Sequence, residues 1–184
     1  ALSSKFFKIG DIVTIDFGIS YLGICTDMAF TIVIKDYNNA AEQRLVEGTK
    51  NALDRAIKLC TVNHSLADLS YAIHTSLTED NLGVPPEFCG HFIGSSIHES
   101  PTIPNVVRYD QENFELRPGM VFCLEPIATL GSPVYKLGSD GFSYMTKDGS
   151  PAAQFEHQIL VTDAEPIVLT DMNDNAILRE TDGT

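Results

Sequence analysis

Between Asn39 and Gly83 the chain carries two helix signatures in succession, and on either side of them the apolar runs are short, strand-like and set off by Gly or Pro. That order limits the fold more than any other feature. Asn39 followed by Glu42 resembles a capping box, and Leu45, Ala52, Leu53, Ala56, Ile57 and Cys60 recur at helical spacing until Val62-Asn63. Ser65 with Asp68 opens a second segment, with Leu66, Leu69, Ile73 and Leu77 as its stripe and Asn81-Leu82-Gly83 as its stop. Ahead of the helices, Lys8 to Ile34 reads as a hairpin with its turn near Tyr21 and Leu22. After Pro85-Pro86 come Phe88 to Ile97, Met120 to Ala128, Phe142 to Thr146 and Ala152 to Val161, all strand-like, and no helix is expected there. The pattern predicts an α+β domain with helices on one face of a largely antiparallel sheet. No boundary or low-complexity tract interrupts residues 1–184, so a single domain is expected.

With 184 residues, 43% of them hydrophobic and 20% charged, the chain has enough apolar material for one core, which excludes disorder. Lys and Arg number 12 against 25 Asp and Glu, a formal charge of −13 that opposes direct contact with nucleic acid or an anionic membrane surface. No apolar run is long enough to cross a bilayer, and Ala1 to Gly10 lacks the layout of a signal peptide, so a cytoplasmic protein is expected. Cys25, Cys60, Cys89 and Cys123 are widely spaced without a C-x-x-C, which predicts reduced, mostly buried thiols. His64 and His74 read as structural, and Asp171, Asp174, Glu180 and Asp182 as a solvated acidic end.

The unusual residues are carboxylates in apolar strands. A hairpin centred between Tyr21 and Leu22 sets Asp16 opposite Asp27, with Cβ atoms about 5 Å apart, where like charges repel and a cation would reverse the penalty. Two solvent-facing aspartates on an edge hairpin are the plainer alternative. His91 and His98, seven apart, would face opposite sides of a regular strand unless Gly94 bends it. Glu125 ends the apolar run from Met120 to Leu124, where an ionised carboxylate is costly unless paired or metal-bound, and Pro126 breaks the ladder beside it. Glu156 shares a face with Gln154 and Gln158 while Phe155, Ile159 and Val161 take the other, so that polar face is either solvent or a site. His157 should point away from it. Together, four carboxylates and an imidazole suit Mn, Fe, Co or Zn. Two such ions, about 3.5 to 4 Å apart, are the apparatus of aminopeptidase-type hydrolysis. There is no G-x-S-x-G, H-E-x-x-H, Walker loop or G-x-G-x-x-G to suggest other chemistry.

Taken in order, Gly10 to Gly18 with Asp27, Gly90-His91 followed by Ile97 to Pro101, Leu116 to Met120 leading to Glu125-Pro126, and Ala153 to His157 resemble the type I methionine aminopeptidases of the pita-bread fold. The resemblance covers essentially the whole chain. It implies that Asp16, Asp27, His91, Glu125 and Glu156 are ligands of two divalent metal ions (Co, Mn, Fe or Zn), with Asp27 and Glu156 bridging. It further implies Glu125 as general base, His98 as hydrogen-bond donor to the substrate and its developing oxyanion, and Ile97 and Phe142 as parts of the methionine pocket. The implied reaction removes the initiator methionine from nascent polypeptide N-termini near the ribosome when the second residue is small.

Phe92 stands where the family usually has glycine, and Phe142 where it commonly has Trp. The family also has an upstream substrate-contacting histidine and the helices of an N-terminal half. By the resemblance, this chain supplies the second half and only the last hairpin of the first, which makes it a fragment, a reduced relative, or one component completed by another chain. Two rivals remain at this level. An X-prolyl aminopeptidase would share the ligand pattern but usually carries an Arg-Ile-Glu-Asp-like segment where this chain has Ala153-Gln154-Phe155-Glu156-His157. A non-catalytic pita-bread binding module is the other.

Overall fold

The computed structural model describes residues 6–108 and 114–171. The described strands pair only antiparallel, and two helices lie between the first hairpin and the rest, as the sequence pattern predicts.

Strands β1 (Ile12–Tyr21) and β2 (Ile24–Val33) form the hairpin. Leu22 and Gly23 have φ of 51° and 84°, the left-handed pair that a two-residue type I′ turn demands, and Gly23 adopts it without steric cost. That demand moves the turn one residue past the predicted centre. Asp16 therefore pairs with Ala29, and Asp27 with Gly18, rather than with each other. Because the slip preserves parity, both aspartates still point from the same face, now as diagonal neighbours.

Helix α1 (Ala40–Ile57) is capped by Asn39, whose side chain accepts from the N–H groups of Ala41 and Glu42. The reciprocal half of the predicted box is displaced: the Glu42 carboxylate takes the N–H and side-chain amide of Asn38 instead. The helix stops short of Cys60, which is still fully buried, its thiol donating to the Ala56 carbonyl in the closing turn. Helix α2 (Leu66–Glu79) has the complete Ser65/Asp68 capping box. Two Asp68 hydrogen bonds from Ser65 hold that carboxyl below its usual range. No described helix is long and apolar enough to cross a membrane.

The remaining strands are β3 (Cys89–Phe92), β4 (Glu99–Pro104), β5 (Val121–Leu124), β6 (Ile127–Thr129), β7 (Tyr135–Leu137), β8 (Tyr144–Thr146), β9 (Ala152–Gln154), β10 (His157–Leu160) and β11 (Ile167–Val168). Five of them form one sheet in the order β11-β10-β5-β3-β4. β4, β7 and β11 were not among the predicted runs; each is short or carries mixed polarity, which hides the alternation that marks a strand. The predicted run from Phe88 to Ile97 ends as a strand at Phe92, and the one from Met120 to Ala128 splits at Glu125-Pro126 as expected of a proline in a ladder.

Residues alternate along β5. Phe122 and Leu124 join Leu45, Leu53, Leu69, Ile73, Leu77 and Ile159 in the core under the helices, whereas Cys123 belongs to a small cluster on the opposite side with Cys25 and Ile93. The helices thus cover one face and leave the other for polar residues. All four cysteines are free, Cys89 partly buried and the others buried. His64 and His74 are partly buried in the helical region, in keeping with structural roles. Ala1 to Lys5 and the acidic residues Asp174, Glu180 and Asp182 lie outside the described residues; Asp171 is exposed.

Candidate metal centre

Three neighbouring strands of the sheet deliver the inner residues. His91 of β3 is in register with Cys123 of β5, and Cys123 with Gln158 of β10, so His91, Cys123 and the side chains next along β5 and before β10, Glu125 and Glu156, share the face away from the helices. The hairpin closes over that face. The Ala29 N–H reaches the Glu156 carbonyl at 3.4 Å and the Glu156 N–H donates to the Ala29 carbonyl at 2.7 Å, while the Cys25 N–H donates to the Gly94 carbonyl at 2.8 Å. These bonds lay Asp16 and Asp27 against the sheet. Gly18, opposite Asp27, is what admits its carboxylate: a Cβ there would stand 3.3 Å from Asp27 Oδ1 and 3.1 Å from Ile97 Cδ1.

Donor atoms fall into overlapping sets, each within 4.8 Å: Asp16, Asp27 and Glu156; Asp27, His91 and His98; His91, Cys123 and Glu156. Asp27 and Glu156 each occur with both Asp16 and His91. Glu125 stands just outside these sets, its backbone carbonyl accepting from the fully buried Asn105 at 2.9 Å and its Oε2 lying 3.4 Å from Gln154 Nε2. The sheet bends between His91 and His98, with Gly94 N–H donating to the Ser96 carbonyl, and the two rings meet edge to face at 4.5 Å between centroids. The predicted bend is there and unites the histidines.

Electrostatics mark the cluster as unfinished. Burial first, then the charges of Glu156, Asp16 and Asp27, push Glu125 up to about 9. Burial and Asp27 push Glu156 up to about 8. Burial and the Asp16 charge raise Asp27, and burial lowers His91. Glu156 is 2% exposed, and its Oε1 has no hydrogen-bond partner although it lies 3.7 Å from His91 Nε2. A buried carboxylate oxygen without a donor, in a concentration of acidic groups that suppress one another's ionisation, fits a site that binds cations. Hard oxygens with one imidazole are a donor set for Mn, Fe, Co or Zn.

The polar face of Glu156 is buried beneath the hairpin and is not a solvent-facing strand surface. Gln158 on it is buried, while His157 points to the helix side, where its ring bonds to the Thr170 hydroxyl. Phe92 leaves the ligands uncrowded because its ring turns to the core, 5.4 Å from Phe122 and 6.1 Å from Phe114 between centroids. Ile97 packs beside Cys25, Ile93 and Cys123, next to Gly18. Phe142 does not line the cavity beside Asp16 and Glu125: it is 85% exposed, because the Asp140 carboxylate accepts the N–H groups of Phe142 and Ser143 and turns the chain outward. Phe88, Tyr135 and Tyr144 instead form the apolar wall of a cavity of about 350 Å³ that opens onto Asp16, Glu125 and Gln154. Sequence reasoning assigned Gln154 and Asn105 no role, although Gln154 announces itself by sharing the Glu156 face two residues upstream.

Residues 3–163 match the model of metallopeptidase family M24. The chain belongs to that family. A methionine aminopeptidase of Aquifex aeolicus is 37% identical over 169 residues, 91% of this chain and 65% of the relative. The crystal structure of a methionine aminopeptidase from Thermotoga maritima superposes with a TM-score of 0.87 at 34% identity, covering 92% of this chain and 67% of that one. A prolidase from Pyrococcus furiosus gives 0.71 at 25% identity, covering 91% and 43%. These likenesses bear out the α+β pita-bread expectation, and membership of a metallopeptidase family makes divalent metal the cation class for the cluster. The chain spans 65% of the length of the Aquifex relative.

Proposed function

We propose that this M24 chain carries the catalytic face of a methionine aminopeptidase, acting on nascent polypeptides in the cytoplasm whose second residue is small. The observation that carries the reading is the convergence of Asp16, Asp27, His91, Glu125 and Glu156 on one sheet face with His98 beside them. The recurrence of Asp27 and Glu156 in the donor sets of both Asp16 and His91 supports two ions, with those two carboxylates shared. Bound there, two divalent ions would lower the pKa of a water and polarise the scissile carbonyl.

Glu125 accepts the proton of the attacking water on its carboxylate and returns it to the leaving amine. His98 donates a ring N–H to the carbonyl oxygen as charge develops there. The cavity walled by Phe88, Tyr135 and Tyr144 opens beside Glu125 and receives the substrate. The formal charge of −13 keeps direct RNA contact out of this reading.

The test is release of free methionine from a Met-Ala-Ser peptide with Co(II) or Mn(II), against a chelated control and an Ala-Pro peptide. Metal-dependent release from Met-Ala-Ser alone supports the reading. Cleavage of Ala-Pro would favour the X-prolyl rival, which the 25% likeness to a prolidase keeps in view. No release from folded, metal-loaded protein would favour a binding module. His98→Ala should lower kcat about a hundredfold while the Co(II) stoichiometry measured by calorimetry stays unchanged. Loss of bound metal in that variant would make His98 a ligand.

A further inference from the structure

Gln154 closes β9, and its backbone is held from both sides by one hydroxyl. The Thr31 Oγ1–H donates to the Gln154 carbonyl at 2.7 Å, and the Gln154 N–H donates to Thr31 Oγ1 at 3.0 Å. From this fixed base the side-chain Nε2 donates to Asp16 Oδ2 at 3.1 Å and reaches toward Glu125 Oε2 at 3.4 Å. A primary amide nitrogen carries two hydrogens, so these carboxylates take its whole donor capacity. Among the described residues, these are the only side-chain hydrogen bonds made to either carboxylate. Asp16 is an exposed residue of a hairpin strand, and Glu125 follows the end of a central strand, so strand pairing places their backbones but leaves the orientation of the two carboxylates open.

We propose that Gln154 is a positioning residue of the metal centre, its neutral amide fixing the orientation of Asp16 and Glu125 toward each other. The inference rests on the reading of those two carboxylates as metal ligands. A carboxylate in this place would add to a cluster already crowded by like charge, whereas the amide donates without adding any. Partners that orient ligating groups typically change metal affinity 10- to 100-fold when removed.

The experiment compares wild type with Gln154→Met, which keeps the length but removes both donors, in calorimetric Co(II) titration and in the visible d–d spectrum of the Co(II) protein. The variant should bind Co(II) about 10 to 100 times more weakly, show a changed d–d spectrum, and lose kcat on Met-Ala-Ser at unchanged KM. Gln154→Asn, still polar but one methylene too short to reach either carboxylate, should reproduce the same changes and covers the case in which Gln154→Met does not fold. Wild-type affinity and spectrum in a folded variant would overturn the inference alone. A wild type that binds no Co(II) would overturn the metal-centre reading on which it stands.

Discussion

Glu125→Gln should cut methionine release from Met-Ala-Ser by at least about a thousandfold at saturating metal, near the upper range for loss of a positioned general base. The amide keeps the size of the side chain and can still face Gln154, so packing around Asn105 and Pro126 should survive. What disappears is the carboxylate that takes up a proton. In the metal-free protein Glu125 sits at about 9 because burial and then three neighbouring carboxylates oppose its charge, so it holds protons readily, and divalent cations would bring it back toward ionisation. Co(II) affinity should fall as well, since an amide oxygen is a weaker donor. Full activity in the variant would remove Glu125 from the chemistry.

Chelated protein should become less stable as pH rises from 7 to 8.5, and loading with metal should reverse that slope. Glu125 and Glu156 stand at about 9 and about 8 in the folded chain, against 4.5 for an ordinary glutamate, and Asp27 is raised in the same way. A carboxyl with a raised folded pKa binds more protons folded than unfolded between the two values, so stability drops as pH climbs through that interval. His91 and His157, lowered by burial from 6.5, act in the opposite sense but only below that value, and the thiols of Cys60, Cys89 and Cys123, raised by burial from 9.0, add to the downward slope only toward the upper end of the window, leaving most of it to the carboxylates. The melting temperature of the chelated protein should fall by at least about 3 °C across it. Metal binds the deprotonated ligands, so its stabilisation grows with pH. A flat profile for chelated protein would mean that the cluster ionises without resistance.

Much of this was legible in the sequence, for a physical reason. Helix caps and stripes are local signals, and Ser65 with Asp68 located α2 to the residue. Carboxylates in apolar strands announce themselves because burying a charge demands a partner, which is why Asp16, Asp27, Glu125 and Glu156 stood out before any contact was known. The hairpin register was less accessible: it hinged on left-handed backbone at Leu22, which hydropathy does not encode. The outward setting of Phe142 was hidden for a related reason, since an Asx turn at Asp140 sets its direction. Asn105 is an ordinary polar residue whose bond to the Glu125 carbonyl appears only when separate segments meet, and for Gln154 the sequence offers its parity with Glu156 but not its reach to Asp16 and Glu125.

The hairpin supplies two of the proposed ligands; Ile12, Phe30 and Val33 pack its open end against the core, and beyond them it meets the sheet through hydrogen bonds of Cys25, Ala29, Thr31 and Asp16. Metal held across that junction would join it to Glu125, Glu156 and His91 more firmly than those hydrogen bonds do. Opening of the hairpin and escape of the ions would then be one event. The local unfolding free energy of β1 and β2 would follow metal activity in the surroundings, whereas α1 and α2, sealed by their own core, would open only with the whole domain. Metal depletion would thereby loosen the strands that carry half of the shared ligands before it disturbs the fold itself.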